Sequence, residues 1–250
     1  EFDAAGQEMR LMADFSQDAT LVRIFREGMD AHSNTGAQIA GMSYDAFMKG
    51  KEQELEIIVG AHGYRYCGKF TNLSNQYRVG VKKSRIVARV QYGLDKDYMT
   101  IKSWQDAYHR AYPGVKQYWK RAIELAKAKG YAETRAGRRF YLTDWNSNQW
   151  GTESSAINFP IQGTGGDMKE LAIAMMHRHF PQFEFMLDLH DGLFFRIDTK
   201  QVDENHTIIR EAREMLDNLP YQKAWGWTPS VPITWDASIG PDWGHMKELK

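Results

Sequence analysis

Cysteine is almost absent: of 250 residues only Cys67 is one. That excludes an intrachain disulfide framework and any zinc site built from paired cysteines, and it leads us to expect a reducing, cytoplasmic setting. No apolar run approaches the roughly 20 residues that a membrane helix needs, so no membrane partner is expected. No charged-then-apolar leader with a cleavage site opens the chain. Net charge is also missing, since 32 Lys and Arg balance 32 Asp and Glu. Without an overall positive field, a nucleic-acid partner would have to be held by local clusters and specific contacts. A phosphate loop ending in Gly-Lys-Ser/Thr is lacking, which argues against a simple nucleotide hydrolase. What is present is 42% apolar and 26% charged residues, an ordinary globular composition with length for one large core or two lobes. The first residue is Glu rather than Met, as expected of a processed product or a piece of a longer chain.

Periodicity then divides the chain. Met9, Met12, Leu21, Ile24 and Phe25 recur at helical spacing and predict one helix over 7–27, closed by Gly28. A second helical region is expected over 52–79, interrupted at Gly60 and Gly63, and a third over 103–129, broken by the turn residues Tyr112-Pro113-Gly114. Residues 130–142 read as two short strands around a turn, 145–155 as a polar loop and 167–179 as a helix. Two apolar runs, 183–189 and 193–197, flank His190-Asp191-Gly192, and Asp-Gly at such a junction is a strong hairpin cue. An amphipathic helix over 202–219 and an extended tail over 231–240 complete an α+β pattern with strands concentrated near the ends.

Some of these residues suit phosphate chemistry. Arg65, Lys69, Leu73 and Tyr77 are spaced four apart, so one continuous helix would carry them along a face roughly 18 Å long. Two cations and a distant ring would fit a nucleoside triphosphate, but an amphipathic helix with solvated bases has the same spacing. Asp191 could project from a rigid hairpin into a cleft, or be simply a good turn residue. Asp3 is an acid near a terminus.

The ordered set of segments is more telling. Asp3-Ala-Ala-Gly-Gln-Glu8-Met-Arg10 resembles the first polymerase motif of the family A DNA polymerases, the lineage of bacterial repair polymerases and many phage replicases. Arg65-x-x-x-Lys69-x-x-x-Leu73-x-x-x-Tyr77 resembles the second, and His190-Asp191 after an apolar strand the third. Tyr112-Pro113-Gly114, Gly130-Tyr131-x-Glu133-Thr134-x-x-Gly137-Arg138-Arg139 and Ala156-Ile157-Asn158-x-Pro160-x-Gln162-Gly163-Thr164 are similar to further family segments, in the family's order.

The resemblance implies a right-hand polymerase fold: an antiparallel palm sheet with helices (1–29 and 151–250) and mostly helical fingers (30–150), with the thumb absent. It implies a DNA-directed DNA polymerase in a bacterial or phage-infected cell, working on primer-template DNA and dNTPs with two Mg2+ ions, for which Mn2+ substitutes. Asp3, Asp191 and the carbonyl of Ala4 are the implied metal ligands. Lys69 is implied to be catalytic, and Glu8, His32, Arg65, Lys69, Leu73 and Tyr77 to bind nucleotide. Arg10, Asn158, Gln162 and His190 are the implied DNA contacts. A second polypeptide supplying thumb and remaining palm is an expected partner. A non-catalytic DNA-binding or assembly fragment and a single-subunit RNA polymerase are the alternatives. The chain departs from the pattern at Leu73, usually aromatic, at Ser74 and Arg78, usually glycine, at Gly192, usually an acid, and at Ser154, often arginine. Asp3 lies two residues from the first residue, so the strand holding it is expected to be barely present.

Overall fold

In the computed structural model, which describes residues 1–249, short strands near the two ends of the chain are drawn into one sheet. In chain order the elements are β1 (Phe2–Ala4), α1 (Gln7–Ser16), α2 (Ala19–Arg26), α3 (Ala31–Ala40), α4 (Tyr44–Glu52), α5 (Glu56–Val59), α6 (Tyr64–Asn75), α7 (Val81–Tyr92), α8 (Tyr98–Ala111) and α9 (Pro113–Lys129). There follow β2 (Tyr131–Glu133), β3 (Arg139–Tyr141), α10 (Gln149–His179), β4 (Glu184–Leu189), β5 (Gly192–Arg196), α11 (Thr207–Asp217), α12 (Tyr221–Trp225), β6 (Trp235–Ile239) and β7 (Lys247–Glu248). The fold is α+β, as expected. No helix among the described residues is long and apolar enough to cross a membrane.

The described residues form two compact units, one of Glu1–Leu11, Glu133–Phe140 and Phe159–Lys250, the other of Met12–Ala132 and Tyr141–Asn158. The first unit holds an antiparallel sheet in the order β4-β5-β1-β6-β7. Period-two alternation turns Phe2 and Ala4 of β1, with Trp235 and Ala237 of β6, into the core, leaving Asp3 and Asp236 on the other face. Phe2, Phe183 and Phe195 meet edge to face behind the sheet, and α11 packs its buried Ile209, Ala212 and Leu216 towards β6. Thus the polar face of a very short strand is anchored by aromatic packing beneath it.

The second unit is helical. One of its cores joins Cys67 and Phe70 of α6 to Ala88, Leu94, Ile101 and Trp104, and another packs Ala37 against Phe47 and Ile58. Helices α3 and α6 cross with their backbones in contact. A Cβ on Gly36 would lie 2.7 Å from the Tyr64 carbonyl oxygen, and one on Gly68 would collide with the His32 carbonyl oxygen and lie 2.7 Å from the Gly36 nitrogen. Glycine is therefore what lets the side chains of these helices interlock.

Three local expectations are corrected. The single helix over 7–27 is two: Gln17 has φ 53°, and Asp18 caps α2 by accepting from Thr20 N and Leu21 N at 3.0 Å. The other oxygen of Asp18 accepts from Gly114 N at 2.7 Å at the start of α9, a partner 96 positions away that spacing could not reveal. The polar loop over 145–155 shortens, because α10 already begins at Gln149 and runs through Pro160. Finally, α6 ends at Asn75, and Arg78 has φ 59°, so Tyr77 lies in a turn beyond the helix that carries Arg65, Lys69 and Leu73.

Candidate active site

In the sheet unit, Asp3 stands opposite Gly192 on one neighbouring strand and Asp236 on the other. Directly opposed residues share a sheet face, so Asp236 stands beside Asp3. The hairpin between β4 and β5 places Asp191 next to it: the Asp191 carbonyl accepts from Ala4 N at 3.2 Å, and the two side-chain carboxyls share a hydrogen bond. His190, exposed and at φ 55°, makes the left-handed turn that directs the chain back. Burial, then the charges of Asp191, Glu1 and Asp236, push the Asp3 carboxyl up to about 6. Two carboxyls this close, one of them half-buried, form an anionic pocket suited to a hard divalent cation with oxygen ligands. They are a pair rather than a complete cage, since no three His, Cys, Asp or Glu side chains among the described residues converge to hold a metal.

Gly192 gives this corner its room. The Glu1 carboxylate lies over it, with Oε1 3.3 Å from where a Cβ would sit. Arg10, from α1, donates to the carbonyl oxygens of Ala5 and Pro232, each at 2.7 Å, and so ties the end of β1 to the segment entering β6. Glu8 accepts from Gln162 Nε2 at 3.4 Å, which joins the first motif to α10. Asn158 lies one turn earlier on α10 with a buried Oδ1 lacking a hydrogen-bond partner. The segments 133–140 and 159–167 also meet: Arg138 donates to Asp167 Oδ1 at 2.7 Å and to the Gly163 carbonyl at 2.8 Å, and Arg135 N donates to Thr164 Oγ1 at 3.0 Å.

In the helical unit, Asp30 organises the cations. Its Oδ1 caps α3, accepting from His32 N and Ser33 N, while Oδ2 accepts from Lys51 Nζ and Arg65 Nε, both at 2.8 Å. Burial would raise this carboxyl, but the Lys51, Arg65 and Ser33 hydrogen bonds outweigh it and hold Asp30 well below the usual carboxylate range. His32 is lowered to about 4, chiefly by burial and then by Arg65 and Lys69 against the opposing pull of Asp30, so it is neutral at pH 7. Lys69 is exposed and Leu73 half-buried on α6. Arg65, Lys69 and His32 therefore converge, while Tyr77 stands past the helix end. Asp30, Lys51, Asp236 and Glu1 escaped sequence reasoning. Only Asp30 left a trace there, as an Asp before a helix start.

A profile described as DNA polymerase family A matches residues 1–245. The chain belongs to that family. It is 27% identical over 96% of its length to thermostable DNA polymerase I of Thermus filiformis, and 25% identical over 96% to DNA polymerase I of Streptococcus pneumoniae. It spans about a quarter of these relatives, 26% and 25% of their respective lengths. Its fold is similar to that of the POL domain of Pol1 from M. smegmatis, solved in complex with DNA primer-template and dNTP. The TM-score is 0.72 at 23% identity, over 94% of this chain and 38% of that one.

Proposed function

We propose that this chain carries the catalytic centre of a template-directed DNA polymerase, joining deoxynucleoside triphosphates to a primer 3′ end. The observation that carries this reading is the Asp3–Asp191 pair, two carboxyls close enough to share a hydrogen bond at the middle of the sheet in a family A chain. Asp3, Asp191 and the Ala4 carbonyl would hold Mg2+, or Mn2+ in its place; two such ions, when bound, stabilise the attacking and leaving oxygens of the transfer. Arg65, Lys69 and His32 bind the triphosphate, and Lys69 neutralises the departing pyrophosphate. Leu73 and Tyr77 border the incoming sugar and base. Glu8, steadied by Gln162, crowds the ribose 2′ position and favours dNTPs over rNTPs. Arg10, Asn158, Gln162 and His190 face primer and template.

In this reading 1–29 and 151–250 are palm and 30–150 are fingers. The relatives are about four times longer, so we assign the thumb and the rest of the palm to further polypeptide, covalently joined or separate. Primer extension with Mg2+ tests the reading. Asp191→Ala is expected to abolish incorporation by the complete enzyme while leaving DNA binding intact; incorporation near the wild-type rate would show the metal site to be wrongly assigned. A preference for rNTPs would instead move the chain to the RNA polymerases.

A further inference from the structure

Behind His32 runs a buried chain of hydrogen bonds whose direction can be worked out. Asn72, fully buried on α6, places its Nδ2 3.2 Å from the Ala31 carbonyl oxygen and 3.0 Å from His32 Nδ1. A carbonyl oxygen only accepts, so the amide NH2 must face Ala31, and its second proton points at the imidazole. His32 Nδ1 is then an acceptor, and the ring proton sits on Nε2. The other end of the amide agrees: Asn72 Oδ1 accepts from Thr35 Oγ1 at 2.6 Å. Having spent its only proton there, Thr35 Oγ1 accepts from the Tyr112 hydroxyl at 2.9 Å, which in turn accepts from Asn34 Nδ2 at 2.9 Å. Donation thus runs one way, from Asn34 through Tyr112, Thr35 and Asn72 to His32.

His32 Nε2 has no hydrogen-bond partner among the described residues, yet it is not among the buried unsatisfied atoms and so remains open to solvent. The charged groups acting on the ring are Asp30 at the start of α3, and Arg65 and Lys69 on α6. Two cations beside an uncharged N–H donor make a receptor for an anion rather than a site for proton transfer.

We infer that Asn72 is a positioning residue that locks His32 as the neutral Nε2–H tautomer, so that this nitrogen donates to a phosphate oxygen of the incoming nucleotide. This rests on the triphosphate-binding reading of Arg65 and Lys69 given above. Close approach of α3 and α6 at Gly36 and Gly68 is what brings the amide within reach of the ring. An imidazole held this way cannot flip its ring or exchange its tautomer without breaking the buried chain, so the donor is in place before nucleotide arrives.

The test pairs long-range 1H–15N spectra of the full protein with dATP binding. In the wild type we expect an Nε2–H signal for His32 that is constant from pH 6 to 8, with dATP affinity lacking any His32-dependent step. Asn72→Ala should mix the tautomers and free the ring, lowering the binding-competent fraction and weakening dATP about two- to five-fold. Asn72→Asp offers an acceptor instead, so the ring should gain an Nδ1 proton and dATP binding should tighten as pH falls from 8 to 6. If either substitution unfolds the helical unit, Thr35→Val cuts the same chain one bond further back and should show a smaller tautomer shift. An Nδ1–H tautomer in the wild type, or an unchanged tautomer in every variant that folds, would overturn the inference. Correct tautomer behaviour with no dATP binding in the wild type would overturn the phosphate reading instead and leave Asn72's hold on the ring standing.

Discussion

Replacing Asp191 with Asn should stabilise the metal-free protein while destroying its activity. Folding brings Asp3 and Asp191 together and raises the Asp3 carboxyl from its ordinary 3.8 to about 6, first by burial and then by its neighbours' charge. If the pair were sealed from water, this would correspond to about 3 kcal/mol against the doubly ionised form; Asp3 is only half-buried, so screening reduces the cost to about 1–1.5 kcal/mol. The sign follows from proton binding. Between pH 3.8 and about 6 the folded protein holds more protons than the unfolded one, so stability falls as pH rises through that window. Asp191→Asn removes only the part of this cost that comes from the Asp191 charge, below about 1 kcal/mol because burial is the larger cause, and that gain should be full at pH 8 and vanish near pH 4. In thermal unfolding with a chelator at pH 8, the variant should melt about 1–3 °C above the wild type. Millimolar Mg2+ should raise the wild-type midpoint and leave that of the variant nearly unchanged. A variant less stable than wild type at pH 8 without metal would refute the argument, because the pair would then be held together by something stronger than its repulsion.

Other expectations concern the helical unit. Gly68→Ala drives a methyl group into the His32 carbonyl and the Gly36 backbone, and should cost about 3 kcal/mol in denaturant unfolding; a loss below about 0.5 kcal/mol would contradict the backbone contact of α3 and α6. Lys69→Ala, at an exposed position with no ion pair among the described residues, should leave stability within about 0.5 kcal/mol yet slow primer extension by about 100-fold or more. Asp30→Asn leaves Lys51 and Arg65 without their shared anion and should cost about 2 kcal/mol at neutral pH. Because folding depresses this carboxyl, its contribution is complete above 3.8 and is lost as pH falls below that, so the difference between variant and wild type should shrink in acid. Equal stability of the two at pH 7 would show that the two ion pairs contribute nothing.

How far the sequence could be read follows from the range of the interactions involved. The hairpin at His190-Asp191-Gly192 and the break at Tyr112-Pro113-Gly114 were legible because turn chemistry is local. The break at Gln17 and Asp18 was not, because α2 and α9 share one carboxylate across 96 positions. The four-residue spacing through Tyr77 overran the helix, whose end is set by Arg78 in a left-handed conformation that spacing does not encode. The candidate site divides in the same way. Ordered motifs nominated Asp3, Lys69 and Asp191, whereas Asp30, Asn72 and Asp236 act through neighbours distant in sequence. Asn72 in particular has no local signal, since a polar residue within a helix more often faces water.

The three-residue strand around Asp3 was expected to be barely present, and its brevity turns out to matter less than its position. Phe2, Asp3 and Ala4 pair on one side with Leu193 and Gly192 and on the other with Ala237, Asp236 and Trp235. None of these pairings is local, since the partners lie 189 to 235 positions further along the chain. Closing such a loop is entropically slow, so this strand should join the sheet after the intervening helices have formed. The carboxylate pair would then be among the last features to appear on the folding pathway, and its capacity to bind a divalent cation would report completion of the fold rather than of any single element.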